Sequence, residues 1–351
     1  MRSISQRDFG QLMHSYLVNV FLFTFALIIY RKSRYYVDFL SADTQKTLLV
    51  FFALYLVLAI PLELMLPTER RRLEGKGLMA LRAATRYLAG GFRYLYKFPL
   101  HRSDPPVITK KEKTAVLFLL VKFYYLPVMT NFFYGNWGSM MYNLNKYDPA
   151  GTIHQILLNS IFPFTIALFF FLDTIIYTFG YAIEYPGFRN EIRSVEPTFF
   201  GWFIALLCYP PFNGMIGNYA VWSADSNASL PSLSATYALQ IAGLVFMILY
   251  LWPTFSLGTK ASNLTNRGIV TSGPYSVIRH PAYTGKLLGW WVTSIPFLLR
   301  PGNFLLGFLS LCLWTTIYFF RALTEERHLI ADPDYQEYCR KVPWRFIPYV
   351  L

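Results

Sequence analysis

Charge is scarce in this chain. Of its 351 residues only 15% are Asp, Glu, Lys or Arg, against 54% hydrophobic. A water-soluble domain covers itself with far more charge. Carboxylates are scarcer than bases, 19 against 32, so the net charge is +13. A nucleic-acid partner is not implied, because the basic excess is gathered mainly in one stretch rather than spread over a binding face. Cysteine is scarce too. Cys208, Cys312 and Cys339 form no CxxC pair and no Cys/His ligand spacing. That excludes a disulfide framework and a zinc site, and no metal is expected. No internal repeat or heptad array is visible. No small-residue cleavage site follows the first apolar run, so that run is expected to be an uncleaved first helix rather than a signal peptide.

What the chain has is long apolar runs, with a mean hydropathy of +0.34. Runs of about 20 apolar residues match the thickness of a bilayer when helical. Only helices or closed barrels satisfy every backbone group there. The expected fold class is therefore all-α, a polytopic transmembrane helical protein of about eight spans. The spans fall near residues 12–30, 48–66, 115–133, 156–177, 198–216, 237–255, 283–299 and 304–320. Pro210 and Pro211 break the fifth, which is expected to face its neighbours. The last two are joined by Arg300-Pro301-Gly302-Asn303 as a tight helical hairpin.

The stretch from Glu69 to Lys113 holds twelve Lys/Arg and four Asp/Glu. An excess of basic residues between spans marks the cytoplasmic side. Within it, residues 78–98 mix Arg with Tyr and Leu in the manner of an interfacial amphipathic helix. Eight spans return both termini to the cytoplasm. Two domains are expected: residues 1–235, a transmembrane region containing the basic loop 69–113, and residues 236–351, the region that carries the chemistry.

Two polar clusters stand out. The first, residues 266–283, reads NRGIVTSGPYSVIRHPAY. Gly268, Gly273 and Pro274 make it a turn-rich loop, and glycines let a backbone approach a ligand closely. Pro281 suits the first turn of a following helix, which places His280 at that helix's mouth. The second cluster begins at Arg321. Arg321 and Glu325 lie one helical turn apart, and Glu325 and Glu326 are adjacent carboxylates. Asp173 and Glu63, inside apolar runs, leave a transporter or receptor open, since intramembrane carboxylates often mark pathways.

Together these residues resemble the isoprenylcysteine carboxyl methyltransferase and phospholipid methyltransferase family of integral membrane enzymes. The matching pieces are Arg267-Gly268-Ile269-Val270, Gly273-Pro274-Tyr275 and Arg279-His280-Pro281-Ala282-Tyr283 with Gly285. A helical hairpin follows, then Arg321, Glu325-Glu326, Tyr335, Tyr338 and Val342-Pro343. The resemblance covers about the last 100 residues. It implies S-adenosylmethionine as methyl donor, contacting Arg267, Gly268, Ile269, Val270, Tyr275, His280, Pro281, Ala282, Tyr283 and Glu325. It implies that Arg321 meets an acceptor carboxylate. Arg279 is also placed among the catalytic residues, and Glu326 or His280 would take the proton of an amine acceptor. Arg267 stands where the family usually has His, and Asp332-Pro333-Asp334 replaces a Phe-Gly pair. The implied substrate is lipophilic and enters from the bilayer. A sterol-reductase-like enzyme using NADPH is the rival, since Tyr338-Cys339, Val342-Pro343 and Pro348-Tyr349 fit that family's tail.

The charge pattern carries a first prediction. The basic loop 69–113 and the tail after Arg321 lie on the cytoplasmic side. Single cysteines placed in either should resist a membrane-impermeant thiol reagent in intact cells, and labelling of either would reverse the assignment.

Overall fold

A computed structural model describes residues 6–67, 74–97, 107–224 and 230–350. Parts of the basic loop (69–73 and 98–106) and of the loop expected outside the membrane at 225–232 lie outside the described residues. The chain is almost wholly helical. Six helices are long and apolar enough to cross a membrane: Gln6–Lys32, Ala42–Met65, Lys110–Asn145, Ile153–Ala182, Leu233–Lys260 and Phe304–Leu329. The protein is thus an all-α, multi-pass membrane protein. It divides into two compact units, Met1–Asn131 and Phe132–Leu351.

The first unit contains α1 (Gln6–Lys32), α2 (Arg34–Phe39), α3 (Ala42–Met65), α4 (Lys76–Lys97) and the first part of α5 (Lys110–Asn145). Ser41 caps α3 by accepting from the Thr44 N–H. Tyr30, Tyr36, Leu40 and Leu48 form its buried cluster. Asn131 ties the α2–α3 corner to α5: its Nδ2 donates to Phe39 O at 3.0 Å, and its Oδ1 accepts from Ser41 N at 2.8 Å. The helix expected over 78–98 is present as α4. Leu78, Ala80 and Ala83 are buried, while Leu88, Phe92 and Leu95 are exposed beside exposed Arg86 and Arg93. Apolar and basic residues on different faces suit a helix lying in the interface.

The second unit holds the rest of α5, then α6 (Ile153–Ile156), a π-helical turn at Leu157–Ile161 and α7 (Phe162–Ala182). These last three form one continuous rod. Next come α8 (Phe199–Leu207), α9 (Phe212–Gly217), α10 (Leu233–Leu257), α11 (Pro281–Thr293), α12 (Ile295–Leu298), α13 (Phe304–Leu329) and α14 (Pro333–Lys341). The only sheet among the described residues is a two-stranded antiparallel pair, β1 (Ser194–Val195) with β2 (Thr265–Asn266), in the register Ser194 to Asn266.

Two of the eight expected spans differ from the rest. Residues 198–216 are two short helices, α8 and α9, separated at Pro210-Pro211, because proline lacks an N–H and cannot continue the preceding turn. Residues 283–299 are α11 and α12, broken after Thr293. A helix of α11's 13 residues is roughly 20 Å long at 1.5 Å per residue, short of the ~30 Å hydrocarbon core. Asp173 on α7 is buried and accepts from Tyr250 Oη at 2.8 Å and Thr254 Oγ1 at 2.7 Å, both on α10. It is an interhelical clasp.

Helices α10 and α11 approach closely at Gly285. A Cβ there would stand 2.5 Å from Tyr250 N and 2.7 Å from Leu249 C. Backbone cannot yield as a flexible side chain can. Gly285→Ala should therefore destabilise the protein by about 1–3 kcal/mol, the usual cost of overpacking. Gly91→Ala on α4, where a Cβ meets nothing within 4 Å, should be neutral or slightly stabilising. Thermal melting in detergent compares the two, and equal midpoints would remove Gly285 as the limiting contact.

Candidate functional site

The loop between α10 and α11 starts where Gly258 turns the chain out of α10 with φ of +50°. Backbone bonds then fasten it to the segment before α8: Arg193 N donates to Asn266 O and Glu196 N to Leu264 O, each at 2.8 Å. Asn263 is the loop's internal anchor. Its Nδ2 donates to Tyr181 Oη at 2.8 Å and Tyr209 Oη at 3.0 Å, while its Oδ1 accepts from Arg321 Nη2. One amide thus joins α7, the α8–α9 corner and α13. Gly268, with φ of +93°, sits against the Arg193 and Lys260 side chains, where any Cβ would be crowded as well as strained.

The tail returns along the same loop. Arg279 N donates to Trp344 O and His280 N to Arg345 O, each at 2.9 Å. Tyr338 Oη donates to Tyr275 O at 2.7 Å, and Thr284 Oγ1 to Phe346 O at 3.1 Å. His280 lies between the rings of Tyr283 and Phe346, with centroids 5.6 and 5.5 Å away.

Loop, α13 and tail enclose a cavity of about 170 Å³. That is more than ten times the ~10–15 Å³ one water requires, so there is room for an organic ligand. Eleven of the thirteen residues expected at the site line it: Arg267, Gly268, Ile269, Val270, Tyr275, Arg279, His280, Ala282, Tyr283, Arg321 and Glu325. Pro281 and Glu326 do not. Pro281 is buried in the first turn of α11.

Glu326 is turned to other work. Its Oε1 lies 3.1 Å from Arg279 Nη1 and 3.2 Å from His280 Nε2, and its Oε2 accepts from Arg345 Nε at 2.9 Å. Both oxygens are engaged and the residue does not line the cavity, which speaks against the proton-accepting role expected on an amine. Arg279 is similarly committed: it also donates to Pro343 O at 2.8 Å and points Nη1 at Cys339 Sγ. Burial works most strongly against its charge, but Glu326, Cys339 and Tyr335 together outweigh it and raise its proton affinity. These two groups fasten loop to tail.

Arg321 is placed differently. Only 4% exposed, it has its guanidinium carbon 5.3 to 5.7 Å from the ring centres of Tyr209, Tyr283 and Tyr318. Its Nε is 3.6 Å from Glu325 Oε1 and makes no hydrogen bond. Tyr283 Oη donates to the same Glu325 oxygen. The cavity therefore presents a cation with unspent donor capacity, a partly exposed carboxylate and several tyrosine faces. Buried Arg267 donates to Asn190 O at 3.1 Å and keeps its Nε without a hydrogen-bond partner, as Tyr335 keeps its hydroxyl. Burial lowers the proton affinity of Arg267, yet guanidinium remains charged.

The residues not anticipated from sequence come from both sides of the 235/236 boundary. Tyr177, Glu196, Gly201 and Ala205 line the cavity from the N-terminal side, and Lys260, Asn263 and His328 from the C-terminal side. The compact unit that holds the cavity begins at Phe132, about a hundred residues before that boundary. No local motif marks these positions, and only the β1–β2 pairing and the α7 contacts bring them in. Asp332, a departure from the family pattern, fastens the tail: it accepts from Asn266 Nδ2 at 2.7 Å and Arg193 Nη1 at 3.0 Å. Burial opposes its charge, but the donated bonds from Asn266, the Asp334 N–H and Arg193 prevail and hold its carboxyl below the usual range.

Removing the charge of Glu326 leaves Arg279 and Arg345 facing a neutral amide. Breaking one side of a buried ion pair costs about 3–5 kcal/mol. Glu326→Gln should lower the thermal midpoint and expose the tail after residue 332 to protease. A variant with unchanged midpoint and tail protection would reject the fastening role.

Comparison with known proteins adds to this geometry. Residues 233–332 match the family model for phospholipid methyltransferase. A Delta(14)-sterol reductase of Mus musculus is 33% identical over 88 residues, covering 24% of this chain and 20% of that protein. A protein-S-isoprenylcysteine O-methyltransferase of Schizosaccharomyces pombe is 38% identical over 78 residues, covering 21% of this chain and 31% of that protein. The chain thus spans about a fifth and under a third of these two relatives. No solved structure matches. The match falls on α10, the polar loop, α11 and α13, the elements that build most of the cavity. Residues 233–332 of this membrane protein are thus similar to the phospholipid methyltransferase family.

Proposed function

We propose that the protein is an S-adenosylmethionine-dependent methyltransferase acting on a lipophilic acceptor that reaches the site from the bilayer. The observation that carries this is the pairing of Glu325 and Arg321 on one face of α13, at a cavity walled by tyrosines. The residues present fit such a donor. Glu325 faces a cation or an ammonium, and Tyr275 and Tyr283 offer ring faces to a sulfonium. The unsatisfied Nε of Arg267 and hydroxyl of Tyr335 are available to a polar ligand. When bound, the donor supplies a methyl group on positively charged sulfur, and transfer to a carboxylate forms the ester C–O bond as the C–S bond breaks.

The protein's part is alignment and exclusion of water, without a covalent intermediate. Arg321, held by Asn263 and flanked by three rings, orients an anionic acceptor through its remaining donors. A carboxylate is ionised near neutral pH and needs no base. That agrees with a Glu326 whose oxygens are already engaged, and it favours a carboxylate over an amine acceptor. The sterol-reductase likeness concerns a similar length of chain, but the paired Glu325 and Arg321 favour methyl transfer.

Purified protein should bind S-adenosylmethionine. Glu325→Gln should weaken that binding by about 1.5–3 kcal/mol, the range for hydrogen bonds to charged groups. Arg321→Ala should hold donor affinity within a few-fold and lower turnover of a carboxylate acceptor at least about 100-fold. Calorimetry with S-adenosylmethionine and with NADPH decides the cofactor. Tight NADPH binding with none of S-adenosylmethionine would transfer the protein to the reductases.

A further inference from the structure

Lys286 is a charged residue that the site as described does not use. It sits on α11 one turn beyond Tyr283. Its Nζ is 5.1 Å from the ring centres of Trp290 and Tyr318 and 5.6 Å from that of Tyr250. Among the described residues it makes no hydrogen bond and no ion pair. An ammonium has three donors to spend. Ring faces attract its charge but accept none of those protons in a normal hydrogen bond. An ammonium withdrawn from water this way is costly unless an anion arrives.

The charged neighbours do not meet that need. Asp173 on α7 belongs to the same group, but its two oxygens already accept from Tyr250 and Thr254. Glu325 on α13 faces the cavity, with its Oε1 shared by Tyr283 and Arg321. Arg321 is beside Tyr318 as well, 5.7 Å from its centre. The Tyr318 ring is therefore shared by two cations, of which Arg321 has a carboxylate partner and Lys286 has none within ion-pair distance. Lys286 does not line the cavity itself; it stands beside Arg321 across the Tyr318 ring, with no anion within ion-pair distance.

We propose that Lys286 is the specificity-determining residue that draws the anionic head of the lipophilic acceptor to the site, with Arg321 orienting it for transfer. The assignment rests on the methyltransferase reading for its acceptor, and on the contacts above for its anion. The ligand class is an amphiphile with a carboxylate head and an apolar tail long enough to remain among α10, α11 and α13. Trp290 and Tyr318 border the tail's path, since they pack with Trp314 and Ile317 in one apolar cluster. The ammonium acts before the reaction, on binding. Its removal should raise KM more than it lowers kcat, the opposite of the Arg321 pattern.

The test uses the full chain in lipid nanodiscs with two probes, a prenylated-cysteine carboxylate and its uncharged amide. Direct binding of each is measured for the natural protein, K286M, K286Q and K286R. K286M should weaken the carboxylate probe at least about tenfold, as loss of one member of a desolvated charge pair does. It should leave the amide probe and S-adenosylmethionine within about twofold, and K286R should restore the carboxylate probe. K286Q replaces K286M if the latter does not fold. Equal weakening of both probes, or of neither, overturns the proposal, as does donor binding lost with the acceptor's. Binding is read without methylation. A protein that transfers no methyl yet loses the carboxylate probe in K286M refutes the methyltransferase reading and keeps the anion site.

Discussion

One carboxylate holds the polar end of the second unit together. Glu326, at the last turns of α13, takes Arg279 and His280 from the loop and Arg345 from the tail. Each of those segments is irregular backbone, and neither could hold its course by helix bonds alone. A buried charge must be paired or it costs several kcal/mol. Three partners on one group therefore hold the loop and the tail to α13 at once. The backbone bonds from Arg279 and His280 to Trp344 and Arg345 follow from that fixing. With Glu326 so engaged, its neighbour Glu325 is left facing the cavity. Two adjacent carboxylates thus divide their work by which side of the helix each occupies.

The cavity itself depends on contacts that span the second unit. Asn263 joins tyrosines of α7 and the α8–α9 corner to Arg321. The β1–β2 pair brings Glu196 and Gly201 to the wall. Arg327 on α13 reaches back to Glu196 at 2.9 Å. Within the second unit, residues outside the family match therefore support the matched part and contribute wall residues of their own. The broken helices α8 and α9, and α11 with α12, leave this end of the bundle with less continuous helix than the flanking spans.

Much was legible in the residues alone. Apolar length decides whether a segment can cross a bilayer, so six long helices, the all-α class and the amphipathic α4 follow from composition and period. Gly268, Gly273 and Pro274 announced an irregular loop, and Pro281 announced the start of α11, because these residues restrict or free φ locally. Arg321 and Glu325 share a face because a helix repeats every 3.6 residues. None of this requires knowledge of distant partners. What local chemistry could not decide was the length of α11, the division at Asn131, or which of two adjacent carboxylates faces inward. Nor could it show that Arg279 binds the tail, that Tyr177 and Glu196 reach the cavity, or that Lys286 stands among three rings without an anion. Those facts depend on groups scores of residues apart brought within a few ångströms, and a side chain's charge does not specify which distant partner it will meet. Residue type determined where the chain is buried in lipid and where it turns. Tertiary packing alone decided which charges are satisfied and which remain for a ligand.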